Sequence, residues 1–501
     1  MSKDQLDTAF QSFVKNFDAV NGGFGGAPKF PPPMSLEFLL RYYRRTKNKN
    51  ALKMVEKTCQ KMASGGICDQ LGGGFHRYTV DAIWLVPHFE KMLYDNAQLA
   101  RIYLHLYQAT KNEFYKNVAV QTLEYVKREM LDRKGGFYTA QDADSEGVEG
   151  KFFVWTPEEV SKILGEADTR ILNFHFDVSE HGNFEEKNIL NVKNSIAETA
   201  KAFKIPEEKL KEVIKRGREK LFAEREKRVK PFRDEKVITA WNGLMLATFA
   251  EASAVLDRAD YLEIARRNAD FILDNLTKDG YLLRTSKDGQ AKLNAYLEDY
   301  ANFADGLIEL YQVSGEYKYL KEARRLADLM IDEFWDEDGA GFFFTANNHE
   351  KLPVRSKEFY DNATPSGNSV AADVLLKLSH LLGEEKYERF AVRILRAVAP
   401  QISRYPQAFG RILSVLEFYL SPVKEIVIIG EKGNELEREI WNEYLPNKIV
   451  VLAKNAEESA EFIPLLQERK MINENPTAFV CENFTCQKPV TTVEELKQQL
   501  A

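Results

Sequence analysis

Apolar positions along this chain recur with the period of a helix, and they do so in pairs. Twelve helices can be drawn from that periodicity, near 3–16, 34–46, 50–65, 91–110, 113–130, 237–255, 258–275, 295–313, 316–335, 366–382, 384–399 and 405–419. Half are amphipathic: in 258–275, Leu262, Ala265, Ala269 and Ile272 form one stripe while Arg266, Arg267 and Asp270 point away. Others, such as 237–255, are apolar nearly all round. Helix, tight turn, helix is repeated in Leu106–Ala119, Ala252–Ala265, Leu310–Ala323 and Leu378–Ala391, and more weakly in Tyr42–Val55. Two helix classes in alternation predict an inner ring of buried helices inside an outer ring of half-exposed ones, a mainly α fold of the (α/α)6 six-hairpin kind.

The connections differ by direction. Inner-to-outer turns are short, as at Gly315 and Gly383. Outer-to-inner loops are long and carry a glycine-aromatic signal: Gly22-Gly23-Phe24, Gly73-Gly74-Phe75, Gly135-Gly136-Phe137, Gly280-Tyr281 and Gly341-Phe342. Those loops share one end of the ring and lead into inner-helix N-termini, where free N–H groups favour bound oxygens. Residues 157–233 interrupt the spacing and read as an insertion with its own helices; the charged run Glu207–Lys230 reads as a solvated helix face. After Ser421 the pattern changes. Segments 424–430, 448–454 and 477–480 read as buried strands and 434–445, 457–468 and 492–500 as helices. The expected organisation is a barrel over 1–420 and a small C-terminal α/β domain over 421–501 with a parallel sheet. That domain lacks any G-x-G-x-x-G or P-loop, so no nucleotide is assigned to it.

Composition narrows the function. Over 501 residues the chain is 44% hydrophobic and 29% charged, with a net charge of −7. That balance argues against nucleic acid and anionic membranes as partners. No apolar run approaches the ~20 residues of a membrane span. Four cysteines are too few for a disulfide framework, which together with the lack of a leader suits a reducing cytoplasm and structural thiols at Cys481 and Cys486.

The densest candidate chemistry lies in 65–96, which holds Asp69, His76, Arg77, Tyr78, Trp84, His88, Glu90, Tyr94 and Asp95. Imidazole suits proton transfer near neutral pH, and Glu90 is placed to orient His88. The loop 141–151 adds Asp142, Asp144, Glu146 and Glu149. It imitates the first half of a calcium loop, but its twelfth position is Phe153, so no metal is expected. Further rim residues are Trp155, Trp241, Asn242, Glu298, Asp299 and Asp361; Thr364 before Pro365 reads as a helix cap. His105 and His380, inside helices, read as core or surface residues.

The stretches 22–31 (GGFGGAPKFP), 65–96, 135–155, 236–244 (KVITAWNGL), 296–300 (YLEDY), 365–371 (PSGNSVA) and 481–486 (CENFTC) resemble the YyaL-like thioredoxin-domain proteins, relatives of a spermatogenesis-associated protein. The resemblance implies a barrel similar to N-acylglucosamine 2-epimerases and six-hairpin glycosidases. It also implies a thioredoxin-like partner domain, which this chain lacks along with any C-x-x-C, so redox activity is not carried over. The expected ligand is a carbohydrate, with no cofactor. The leading expectation is an epimerase or isomerase in which His88 moves a proton, Glu90 orients it, and His76 or His181 is the second base. Glycoside hydrolysis, with one carboxylate from Asp142 or Asp144 and the other from Glu90, Glu298 or Asp361, and a non-catalytic sugar- or protein-binding barrel, are the alternatives.

Overall fold

A computed structural model of the chain describes residues 1–350, 353–455, 460–482 and 485–500. All twelve expected helices form. Five precede the interruption: α1 (Lys3–Asn16), α2 (Pro33–Thr46), α3 (Lys49–Ser64), α4 (Leu93–Thr110) and α5 (Glu113–Glu129). Within it lie α6 (Pro157–Leu164), α7 (Glu166–His175), α8 (Ile196–Phe203) and α9 (Glu207–Arg225). The other seven are α10 (Thr239–Val255), α11 (Ala259–Asn275), α12 (Leu297–Ser314), α13 (Tyr317–Phe334), α14 (Gly367–Leu382), α15 (Glu385–Ile402) and α16 (Gly410–Leu420). The last of these is shorter than expected, because Pro406–Phe409 winds as a 3₁₀ turn before it.

The inner helices α2, α4, α10, α12, α14 and α16 pack each against the next, and α16 returns to α2 to close the ring. Burial separates the two classes: α12 is buried along almost its whole length, whereas α15 buries one stripe, including Tyr387, Ala391, Ile394, Leu395 and Val398. Backbone proximity is greatest between α10 and α12, where a Cβ on Gly243 would fall 2.5 Å from the Asn302 carbonyl carbon and one on Gly306 2.8 Å from the Gly243 oxygen. Left-handed residues Lys47, Lys111, Gly315 and Gly383 close the short inner-to-outer turns.

Helices α6–α9 enclose a separate apolar cluster that includes Trp155, Val160, Leu172, Leu210 and Leu221. The face of α9 is solvated as expected except at its end. There Arg225 is buried and reaches Asp69 with both terminal nitrogens, at 2.8 and 3.0 Å.

Beyond the barrel, strands Lys424–Ile429 and Lys448–Ala453 run parallel, and Thr477–Glu482 joins antiparallel to the first. The sheet is therefore mixed, where a parallel one was expected. The reason is the connection: of the helix expected at 457–468, residues 457–459 lie outside the described residues, and the described remainder forms the 3₁₀ turn Pro464–Leu466 in place of a crossover helix. Helices α17 (Glu435–Asn442) and α18 (Val493–Leu500) flank the sheet. The expected free thiols are also corrected. Cys481 and Cys486 form a disulfide, because the pairing of Thr477–Glu482 with Thr485–Cys486 sets them directly opposite, while Cys59 and Cys68 are buried free thiols. This α/β unit meets the C-terminal ends of the inner helices: Val450 N–H donates to Gln312 Oε1 (2.9 Å) and Gln108 Nε2 donates to the Trp441 carbonyl (2.7 Å). No helix among the described residues is long and apolar enough to cross a membrane.

Candidate active site

Three long loops zip together at the N-terminal ends of α4 and α10. Lys91–Met92 pairs with Ala140–Gln141, which pairs in turn with Arg233–Asp234, and Tyr78–Thr79 pairs with Pro87–His88. The result is a cleft of about 390 Å³ lined by Glu90, Met92, Asp142, Phe232, Asp234, Lys236 and Trp241 among others. His88 stands beside it. Its Nδ1 lies 2.7 Å from Glu149 Oε1 and its Nε2 3.7 Å from Glu90 Oε2. Arg77 donates to Glu90 at 3.1 Å and also bonds Tyr94, whose ring packs edge-on against Trp241 with centroids 4.8 Å apart.

Asp95 sits one residue on from Tyr94. Burial drives its carboxyl well above the ordinary range; Arg77 opposes that shift and Glu90 adds to it. Its Oδ2 is buried with no hydrogen-bond partner among the described residues. The Asp95 carboxyl is thus held toward its protonated form with one oxygen unpaired, and Arg77 and Glu90 are the charges that act on it.

Of the other expected carboxylates, Asp142 lines this cleft, and Asp144, Glu298, Asp299 and Asp361 do not. Asp142 and Asp144 are exposed; the Asp142 carboxylate accepts the Asp144 N–H (3.3 Å), and the carboxylate that reaches His88 is Glu149. Glu298 is bound by Arg284 at 2.8 Å and is not part of the cleft lining. Asp299 accepts the Ala240 and Tyr296 N–H groups, both at 2.9 Å, and burial lifts it to about 7. Asp361 bridges two inner helices by accepting the Ser366 (3.0 Å) and Arg411 (2.8 Å) N–H groups, and burial lifts it to about 6. The cap of α14 is Ser366 in place of Thr364.

Five expected site residues are built into the framework. Trp84 is fully buried and donates to the Asn21 carbonyl at 2.9 Å. Trp155 is fully buried in the insertion's core. Neither presents a face to a ligand. Asp69 is held by Lys91 (2.8 Å) and Arg225, and His76 is packed between Phe89 and Phe153 with Nδ1 on the Phe89 carbonyl (2.7 Å). Burial lowers His76 to about 3, so it is neutral, while His181 is exposed in the insertion. Asn242 brackets the Phe137 backbone: its Oδ1 accepts Phe137 N–H (2.8 Å) and its Nδ2 donates to the Phe137 carbonyl (3.0 Å). Asn96 does the same to Phe75 and Asn368 to Phe342. One asparagine in the first turn of an inner helix thus pins each of these glycine-aromatic loops.

Below the rim, polar stripes of all six inner helices line a shaft of about 100 Å³, floored by Trp441, Tyr444 and Lys448. His105 is clasped by Glu37 (2.6 Å) and Glu251 (2.9 Å); burial opposes its charge, but the two carboxylates outweigh burial and raise it to about 9. Arg101 binds Glu251 (2.8 Å) and Glu309 (3.2 Å), Lys377 binds Asp305 (2.7 Å) and Glu309 (2.8 Å), and Arg411 binds Asp373 (2.6 Å). Sequence reading missed this network, His105 included. The available signal was polar residues at helical spacing inside apolar helices, as in Gln98, Arg101, His105 and Gln108.

This architecture defines the chain as a six-hairpin (α/α)6 barrel protein. Its fold is similar to that of D-mannose isomerase (TM-score 0.52, 11% identity, 79% of this chain and 85% of that one) and of the GH76 α-mannanase BT2949 of Bacteroides thetaiotaomicron (TM-score 0.51, 11% identity, 83% and 94%). No family model matches the sequence. The chain is 36% identical to human Spermatogenesis-associated protein 20, across 98% of its own length and 68% of the human protein's, and it belongs to the Spermatogenesis-associated protein 20 family.

Proposed function

We propose that the rim cleft takes a carbohydrate and that the protein is a sugar epimerase or isomerase, moving a proton at the carbon beside a carbonyl. The observation that carries this reading is His88, a 29% exposed imidazole with one nitrogen held by Glu149 and the other facing Glu90 at the cleft. His88 takes the proton from carbon. Asp95, whose carboxyl burial favours in its protonated form, is the acid assigned to the carbonyl oxygen in enolisation. Arg77 steadies Glu90 and the developing oxyanion. Trp241 supplies apolar surface, and Asp142, Asp234 and Lys236 offer partners to hydroxyls. A sugar isomerase is among the proteins built on this fold.

The test is solvent deuterium exchange. The purified chain is incubated in D₂O with a panel of aldoses, ketoses and N-acylated hexosamines, and loss of the C–H signal next to the carbonyl is followed by NMR. The expected result is exchange into at least one sugar, abolished by His88→Asn with the fold intact by circular dichroism. Unchanged exchange in that variant, or no exchange into any sugar, removes the reading. Glycoside hydrolysis is the second reading, favoured by Glu90 and Asp142 lining one cleft. Release of nitrophenol from aryl glycosides, lost in both Glu90→Gln and Asp142→Asn, would establish it instead.

A further inference from the structure

The disulfide in the C-terminal sheet has an unusual companion. Arg469 Nη2 lies 3.0 Å from Cys481 Sγ and 3.5 Å from Cys486 Sγ. Its Nη1 is buried without a hydrogen-bond partner among the described residues, and the carboxylate that acts on it, Glu425, is itself held by His380 at 2.8 Å. The guanidinium rests on the Phe479 ring, 5.1 Å from its centroid. Burial works against this cation more than Glu425 supports it, and a neutral disulfide sulfur is a poor acceptor. The same position becomes favourable when either sulfur carries a negative charge.

The two cysteines differ in access. Cys481 is 2% exposed, in the strand Thr477–Glu482, whereas Cys486 is exposed in the short edge strand Thr485–Cys486. An incoming thiolate can reach one sulfur and not the other.

We infer that Cys481–Cys486 is a thiol–disulfide exchange site, reduced by a dithiol that attacks Cys486 while Arg469 holds the Cys481 thiolate as it leaves. In the first step the reductant's thiolate forms a bond to Cys486 Sγ. The Cys481–Cys486 bond breaks, and its electron pair passes to Cys481 Sγ beside the guanidinium. In the second step the reductant's other thiolate attacks its own sulfur in the mixed disulfide and releases Cys486 as a thiolate. The two protons of the dithiol end on the two cysteines, and the dithiol leaves as a disulfide. Leaving-group stabilisation is the part that Arg469 contributes, since exchange is faster when the departing thiol has the lower pKa.

The experiment uses the full chain, purified without reductant. Reduction by dithiothreitol is followed by quenching with iodoacetamide and peptide mass spectrometry; the buried Cys59 and Cys68 serve as unreactive internal references. Arg469→Met is expected to slow reduction by about tenfold or more, with Arg469→Lys close to the parent. Reduced glutathione, quenched in acid, is expected to trap its adduct on Cys486 in the unmutated chain, a readout that needs no variant to fold. Equal reduction rates for Arg469→Met and the parent, a glutathione adduct mapping to Cys481, or alkylation of both cysteines after incubation with oxidised glutathione would each overturn the inference.

Discussion

His88 Nδ1 lies 2.7 Å from Glu149 Oε1, a carboxylate 61 residues further along the chain. The same oxygen accepts the Phe89 N–H at 3.3 Å, so the acidic ribbon Asp144–Glu149 is docked onto the strand that carries the imidazole. One ring nitrogen is thereby fixed and the other is turned toward Glu90. Removing the base should cost more than removing its orienter. His88→Asn is expected to lower kcat for sugar deuterium exchange by about 10²–10⁴-fold, within the range of general-base catalysis. Glu149→Gln, which keeps the shape but not the charge, should lower kcat by about tenfold with KM little changed. Equal kcat for Glu149→Gln and the parent enzyme would show that the ribbon only covers the loop.

His105 gives the shaft a pH signature. Its folded pKa is raised to about 9, above the ordinary 6.5 of the unfolded chain, because Glu251 and Glu37 outweigh burial. The sign follows from proton binding: between these two values the folded state holds a proton that the unfolded state has lost. The contribution is therefore complete below about pH 6.5 and disappears as pH rises through about 9. Thermal unfolding of the parent should show Tm falling from pH 7 to pH 10. In His105→Gln that slope should be shallower and the Tm at pH 7 lower. Parallel curves for the two proteins would mean that His105 is not charged in the native shaft.

The ring of helices was legible because inner and outer helices have different hydrophobic patterns, and pattern survives without knowledge of tertiary contacts. The rim was legible in part. His88, Glu90, Asp142 and Trp241 do converge, since the loops that carry them enter neighbouring inner helices. What misled the reading was taking loop aromatics for site residues: Trp84 and Trp155 fill cores. Polarity misled it in the same way at Asn242, where the amide brackets a loop's backbone. The shaft network was hidden for a different reason. Glu37, Glu251 and Asp305 come from three different helices, and their meeting with His105, Arg101 and Lys377 depends on ring closure, which no local window records.

Lys377 reaches Asp305 at 2.7 Å, Glu309 at 2.8 Å and Asp373 at 3.2 Å, and its side chain is 9% exposed. Three carboxylates on two helices depend on this one ammonium and on Arg411 and Arg101. Replacing it with methionine keeps the length and leaves buried negative charge short of a partner. The expected loss is about 3–5 kcal/mol of unfolding free energy, the scale for breaking one side of a buried pair. Urea unfolding by circular dichroism checks it. A second change, Lys377→Met with Asp305→Asn, should recover part of that loss, because it removes one of the stranded charges.

The asparagine brackets make the last prediction, and they tie loop order to the cleft. Asn242 accepts the buried Phe137 N–H and the Asn268 Nδ2 while donating to the Phe137 and Ile238 carbonyls. Asn242→Ala leaves the Phe137 N–H and carbonyl without this partner inside the protein. The cost of an orphaned buried donor is about 1–3 kcal/mol. Asn96→Ala and Asn368→Ala should cost similar amounts, since each strands the same backbone groups of Phe75 and Phe342. The three brackets share no partners, so their costs in urea unfolding should add. Their effects on function should not be equal. Asn242 adjoins Trp241 in the cleft wall and Asn96 adjoins Asp95, so these two variants should raise KM for the exchanged sugar. Asn368→Ala, in a hairpin that does not line the cleft, should lower stability with KM unchanged. A KM increase of the same size in all three would place the sugar nearer the centre of the ring than the cleft between α4 and α10.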